Sequence, residues 1–237
     1  MLRLLRLLAA GGLCLAPVVG PTVGKAESEP PRWHQFSGLD VTPSSTFLHH
    51  GVLWGVRDTL HAPGWRLRGV ANAGAYRYRT DGISVTGRLL GLELAPGYTW
   101  FNSRRGLSVF LGAAVSEQAT RPFDVGKPRQ GTRFGGVARI EGWMKVSDRL
   151  TIDVAADYST LFDSYSARVA GSVPVGERFS LEPEVVAFGE PGYDQQRFGL
   201  LVGFRHSPAL QVLAGGGVTR DPDGTGAYLT VQLKRWH

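Results

Sequence analysis

From residue 35 to the end, apolar and polar side chains alternate in runs of about ten residues, the period of a strand with one face toward an apolar medium. Leu150, Ile152, Val154, Ala156 and Tyr158 fall on one face of such a run, and Thr151, Asp153, Ala155, Asp157 and Ser159 on the other. In another run, Phe198, Leu200, Val202 and Phe204 oppose Arg197, Gly199, Gly203 and Arg205, with Leu201 breaking the rule. Twelve strands are expected, over 35–42, 45–56, 64–78, 82–101, 106–118, 132–146, 149–161, 164–175, 178–190, 195–206, 209–219 and 225–236. No segment in this region has the length of a spanning helix, whereas a closed barrel hides its backbone polar groups between strands and needs only every second residue to face lipid. The fold class expected is all-β: a single antiparallel transmembrane β-barrel of about twelve strands.

Barrels of this kind have short turns on the periplasmic side and longer loops outside. Tight turns at Ser147-Asp148, Gly176-Glu177 and Ser207-Pro208 are expected in the periplasm, and longer polar loops at 119–131, 191–194 and 220–224 outside. The connection 57–63 is long for a periplasmic one, and Pro43-Ser44 and Phe162-Asp163 are short for outer ones. Trp54, Trp65, Trp100, Trp143 and Trp236 fall near the expected periplasmic strand ends, where amphipathic rings favour the interface, although the parity of Trp143 points inward. Tyr76, Tyr78, Phe134, Tyr158, Tyr165 and Phe198 fall near the opposite ends.

The first residues change the picture by adding an address. Arg3 and Arg6 precede an apolar run from Leu7 to Val19, and Gly24-Lys25-Ala26 supplies the small residues of a cleavage site, so residues 1–26 are expected to be a signal peptide. Residues 27–34 then read as a short periplasmic leader and 35–237 as the barrel, placed in the outer membrane of a Gram-negative cell. Cys14, the one cysteine, follows Leu13 rather than the small residue of a lipid-attachment signal, so the mature chain has no disulfide and no thiolate site. Loss of Arg3, Arg6 and Lys25 lowers the net charge from +6 to +3, too little and too dispersed for a nucleic-acid partner.

With the lipid face assigned, the inward face carries Arg133, Arg139 and Glu141, then Asp153 and Asp157, Arg168, Glu182 and Glu184, and Arg197 and Arg205. The sign largely alternates from strand to strand, which sets acids beside bases. Two readings follow: a polar channel wall, or a salt-bridged filling, the latter favoured by the limited room in a small barrel. His49 and His50 beside Ser44 and Ser45 invite a hydrolytic reading, but consecutive strand residues face opposite ways and no Gly-x-Ser-x-Gly elbow is present. No catalytic residue, metal or cofactor is therefore expected. The turn Asp221-Pro222-Asp223-Gly224 lacks the spaced acceptors of a calcium loop, and Gly215-Gly216-Gly217 reads as strand glycine rather than a phosphate cradle. Tyr165, Phe188 and Tyr193 are candidates for stacking on sugar rings, against a plainer reading as girdle aromatics.

Short strings carry a more specific signal. Phe36-Ser37-Gly38-Leu39-Asp40, Gly64-Trp65-Arg66-Leu67-Arg68, Tyr76-Arg77-Tyr78, Pro96-Gly97-Tyr98, Gly131-Thr132-Arg133-Phe134-Gly135 and Phe162-Asp163-Ser164-Tyr165-Ser166-Ala167-Arg168 resemble the cellulose biosynthesis protein BcsS family. So does the stretch from Glu182-Pro183-Glu184 through Gly192-Tyr193-Asp194-Gln195-Gln196-Arg197. The resemblance implies a non-enzymatic outer-membrane barrel that assists cellulose or exopolysaccharide biosynthesis, export or surface anchoring, with outer-membrane lipid and cellulose or its secretion machinery as partners. It supplies no catalytic residue and no defined ligand. The alternatives are a small general porin and an outer-membrane lipid or glycan hydrolase. One departure is the C-terminus, where Trp236 is followed by His237 instead of ending the chain on the aromatic residue that assembly machinery commonly reads.

Overall fold

A computed structural model of the chain describes residues 30–80, 82–123, 130–191, 193–222 and 224–237, with the backbone alone at Thr80. The expected signal peptide, residues 27–29 of the leader, and Gly192, Asp223 and 124–129 of the expected outer loops lie outside the described residues.

Twelve antiparallel strands close into a barrel: β1 (Trp33–Val41), β2 (Ser45–Gly55), β3 (Gly64–Thr80), β4 (Ile83–Phe101), β5 (Arg105–Arg121), β6 (Gly131–Ser147), β7 (Leu150–Ser159), β8 (Ser164–Val175), β9 (Phe179–Glu190), β10 (Tyr193–Ser207), β11 (Leu210–Asp221) and β12 (Gly224–Trp236). Closure comes from β1 pairing with β12 in the register His34↔Trp236 to Val41↔Leu229, which leaves no strand edge open to lipid. Each expected strand is present. An even number of strands puts both chain ends on one side, where the Arg32 amide donates to the His237 carbonyl at 2.9 Å and Trp33 stacks on His237 at 3.9 Å.

Loop lengths follow the expected asymmetry only in part. β10 begins at Tyr193, β11 runs on to Asp221 and β12 begins at Gly224, so the expected outer loops at 191–194 and 220–224 shrink to connections as short as the periplasmic ones. Side-chain alternation continues to the strand ends there, and the ladder closes between Tyr193↔Glu190 and Asp221↔Gly224. The connection after β5 stays long.

Side chains alternate between two environments. On β4, Leu90, Leu92 and Leu94 point outward and are each more than half exposed, as are outward Trp65 on β3 and Phe198 on β10. A water-soluble barrel would not present such a continuous apolar belt, so the outward face is the lipid face. Trp54, Trp65 and Trp100 lie outward at one end of it, whereas Trp143 is buried inside, as its parity requires. Tyr76 and Tyr78 correct the sequence reading: they are buried in the lumen rather than at the outer girdle, because inward positions on β3 have even numbers.

The glycine content has a local cause. Inward-facing rings sit directly opposite glycines in the ladder: Phe36↔Gly51, Phe47↔Gly74, Tyr76↔Gly87 and Trp143↔Gly106. A Cβ at Gly74 would lie 2.1 Å from the Phe47 ring and one at Gly87 2.1 Å from the Tyr76 ring, so glycine makes the space each ring fills.

Candidate functional site: the filled lumen

The middle of the lumen holds charged side chains brought together by register. Arg139 on β6 is the direct ladder partner of Asp157 on β7, and its guanidinium donates to the Asp157 carboxylate at 3.0 Å and to Glu141 two residues along its own strand. The Ser166 hydroxyl on β8 donates to the same Asp157 oxygen at 2.8 Å. Arg68 on β3 donates to Glu93 on β4 at 2.7 Å and comes within 3.8 Å of Glu141, past the two strands between them. Arg168 on β8 donates to Glu184 on β9 at 2.8 Å.

Two further contacts cut across the interior over the same span. The Tyr228 hydroxyl on β12 donates to Glu184 on β9 at 2.8 Å, and Arg197 on β10 reaches Asp40 on β1 at 3.4 Å. In each case two strands lie between the partners around the wall, so the side chains span the interior as chords. Arg197 also lies over the rings of Phe188 and Tyr228, at 4.8 and 5.1 Å from their centroids.

Toward the outer end the filling becomes apolar. Phe47, Tyr76, Tyr78, Val85, Leu89, Leu161, Phe162, Phe188 and Tyr193 form one buried cluster, with Gln118 donating to the Tyr76 hydroxyl at its edge. At the periplasmic end, the connection that looked too long is ordered around a side chain. Arg66, inward on β3 and buried, donates to the carbonyls of Thr59, at 3.2 Å, and Ala62, while the Leu60 amide donates to Pro31 at 2.7 Å. An inward guanidinium can bond these carbonyls only if the connection folds in under the barrel.

Of the ten charges expected in the lumen, Arg139, Glu141, Asp153, Asp157, Arg168, Glu182, Glu184 and Arg197 are buried there. Arg133 has inward parity but sits exposed near the outer end of β6, and Arg205 is half-buried near the periplasmic end of β10. Sequence reading missed Arg66, Arg68, Glu93, Asp40 and Lys234, which share the parity of inward neighbours on their strands and were legible by the same alternation. Lys234 is buried near Glu182 and Asp153. The three aromatic candidates are not brought together. Phe188 and Tyr193 are buried in the outer cluster, while Tyr165 faces outward and donates its hydroxyl to Asp194. The histidines separate as alternation requires: His49 is buried against Phe36, and His50 lies outward with Nδ1 2.8 Å from the Ser37 hydroxyl. Ser44 in the turn and Ser45 at the start of β2 are instead hydrogen-bonded to Thr42.

The degree of burial decides what this interior can do. Arg139 and Asp157 side chains are 3% and 2% exposed, and Arg168 and Glu184 4% each, so a water-sized sphere scarcely reaches them. Residues lining an aqueous pore would be open to such a sphere along their length. The arrangement therefore suits rigidity: ion pairs and chords fasten the wall to itself from β1 round to β12.

Solved structures share the fold at low identity. The KdgM porin matches with a TM-score of 0.54 at 8% identity, over 85% of this chain and 98% of that one. The translocator domain of the autotransporter NalP from Neisseria meningitidis matches at 0.54 and 10%, over 88% and 90%, and an outer membrane channel from Pseudomonas putida F1 at 0.52 and 12%, over 91% and 100%. No curated protein matches the chain. The family model for cellulose biosynthesis protein BcsS matches residues 35–236, from the third residue of β1 to the end of β12, and the chain belongs to that family.

Proposed function

We propose that the protein is a non-enzymatic scaffold of the outer membrane that assists cellulose or related exopolysaccharide biosynthesis, export or surface anchoring without itself conducting the polymer. The observation that carries the reading is the filled lumen: buried ion pairs at mid-depth and a buried aromatic cluster toward the outer end leave a glucan chain no path. Family membership supplies the polymer, and the apolar outward face supplies the location. Export by a cleaved signal peptide fits both. Contact with cellulose or its secretion machinery then falls to surfaces at the barrel rims, where Tyr165 remains exposed. A general porin fits the fold but not the filling, and a hydrolase would need a base and nucleophile that neither His49 nor His50 forms with Ser44 or Ser45; the exposed His50–Ser37 pair has no acid bonded to it among the described residues.

Deletion of the gene followed by staining of surface cellulose with a glucan-binding dye tests the reading. Reduced or disorganised cellulose, restored by the wild-type gene and by a Tyr165-retaining lumen variant, is expected. Unchanged amount and texture would contradict it.

A further inference from the structure

On the lipid face, the outer ends of β3, β4 and β5 carry a group of arginines that the lumen does not explain. The outward residues of β3 run from Trp65 to Ala75 without a charge, and those of β4 from Trp100 to Leu90. Each run is as long as the roughly 9–11 residues a tilted strand needs to cross the hydrocarbon. The next outward residue on each strand is an arginine, Arg77 on β3 and Arg88 on β4, and Arg121 follows at the end of β5.

Register brings the three together. Arg77 pairs with Thr86, and Thr86 pairs with Arg121 on its other side, so these arginines flank one residue of β4 in a single row. Arg88 lies two residues from Thr86 on the same face, diagonal to both, at the about 7–8 Å typical of such neighbours. All three are exposed, and none makes an ion pair or side-chain hydrogen bond with a described residue. Glu117, outward on β5 and diagonal to Arg88 one row nearer the hydrocarbon, is the adjacent acid, and it too makes no ion pair with a described residue. Three like charges at this spacing repel one another unless an anion lies between them.

We propose that Arg77, Arg88 and Arg121 form a binding site for a phosphate-bearing lipid head group of the outer leaflet. Guanidinium forks match phosphate oxygens two at a time, and three of them around one point suit a head group with more than one phosphate. Leu90, Leu92 and Leu94 continue directly from Arg88 along the same lipid-facing column. The site therefore offers acyl chains a surface immediately beneath the charge, which a free phosphate cannot use. It is independent of the role proposed in cellulose production.

The test is native mass spectrometry of the full-length folded protein in detergent, titrated with diphosphorylated lipid A. Wild type should retain the lipid, and the same glycolipid stripped of its phosphates should not bind. Arg77→Glu/Arg88→Glu/Arg121→Glu should weaken retention by at least about a hundredfold, roughly fivefold for each positive charge removed and more for the charges added. Arg105→Glu, an exposed arginine at the periplasmic end of β5, should leave retention unchanged. Heat-modifiable gel migration identifies folded samples, and Arg88→Gln alone provides a milder variant, expected to lose about fivefold, should the triple variant not fold. Unaltered retention in the variants, an equal loss in Arg105→Glu, or full displacement of the lipid by inorganic phosphate would each overturn the proposal.

Discussion

The middle of the lumen and its outer end are both filled by buried side chains, but with opposite chemistries. At mid-depth, Arg139 is held between Glu141 on its own strand and Asp157 opposite it, and Arg168 against Glu184, diagonal to it across β8 and β9. Toward the outside, Phe47, Tyr76, Phe162, Phe188 and Tyr193 fill the space with rings, Phe47 and Tyr76 each against a facing glycine. The difference lies in what a deletion leaves behind: an uncompensated buried charge in one region, a void in the other. Charged filling makes each partner indispensable to the next, whereas aromatic filling depends on shape.

The largest expected effect is therefore in the charged layer. Arg139→Leu strands two buried carboxylates and should cost about 3–5 kcal/mol in urea unfolding from vesicles. Replacing Arg139, Glu141 and Asp157 together with apolar residues should recover most of that loss; a triple variant weaker than the single one would break the contrast.

Phe188→Ala should come next, at about 3 kcal/mol, because it opens a cavity and uncovers Arg197. The same unfolding assay reads it, and a cost below that of an exposed aromatic such as Phe134→Ala would deny the outer cluster a packing role. Gly87→Ala should cost about 1–3 kcal/mol by driving a methyl into the Tyr76 ring, and Tyr76→Ala in that background should relieve the clash. Strict additivity of the two substitutions would remove the ring-on-glycine explanation.

The smallest effect is at the surface. Lys145 and Asp148 form an ion pair at 2.9 Å across a periplasmic turn, with Asp148 almost fully exposed. The hydrogen bond from Lys145, and then its charge, hold the Asp148 carboxyl below its usual range. Solvent screening leaves such a pair little influence, so Asp148→Asn should not measurably shift the unfolding midpoint. A shift as large as that of Arg139→Leu would show that burial is not what separates these pairs.

Much of this architecture was legible in the alternation of single residues. The parity that turned Leu150 outward and Asp153 inward also placed the twelve strands, and the closed barrel follows from them. What stayed hidden needed register. Asp157 could be assigned inward from the sequence, but its pairing with Arg139 depends on which residues of β6 and β7 lie opposite. The chords from Tyr228 to Glu184 and from Arg197 to Asp40 join strands that are not neighbours, and no local pattern encodes them. Tyr76 and Tyr78 lie at the height of the outer girdle, but their even numbers on β3 set them inside. Tyr165 and Phe188 looked alike as loop aromatics, yet opposite parity puts one outside and the other in the core of the mouth.

Ion conductance of the purified wild-type barrel in planar lipid bilayers tests the filled lumen most directly. The buried ion pairs and aromatic cluster predict no steady conductance step across repeated insertions, with current appearing only in variants that truncate both layers, such as Arg139→Ala combined with Phe162→Ala and Phe188→Ala. A large, stable, ohmic conductance in the wild-type protein would contradict a closed interior and return the barrel to the porins.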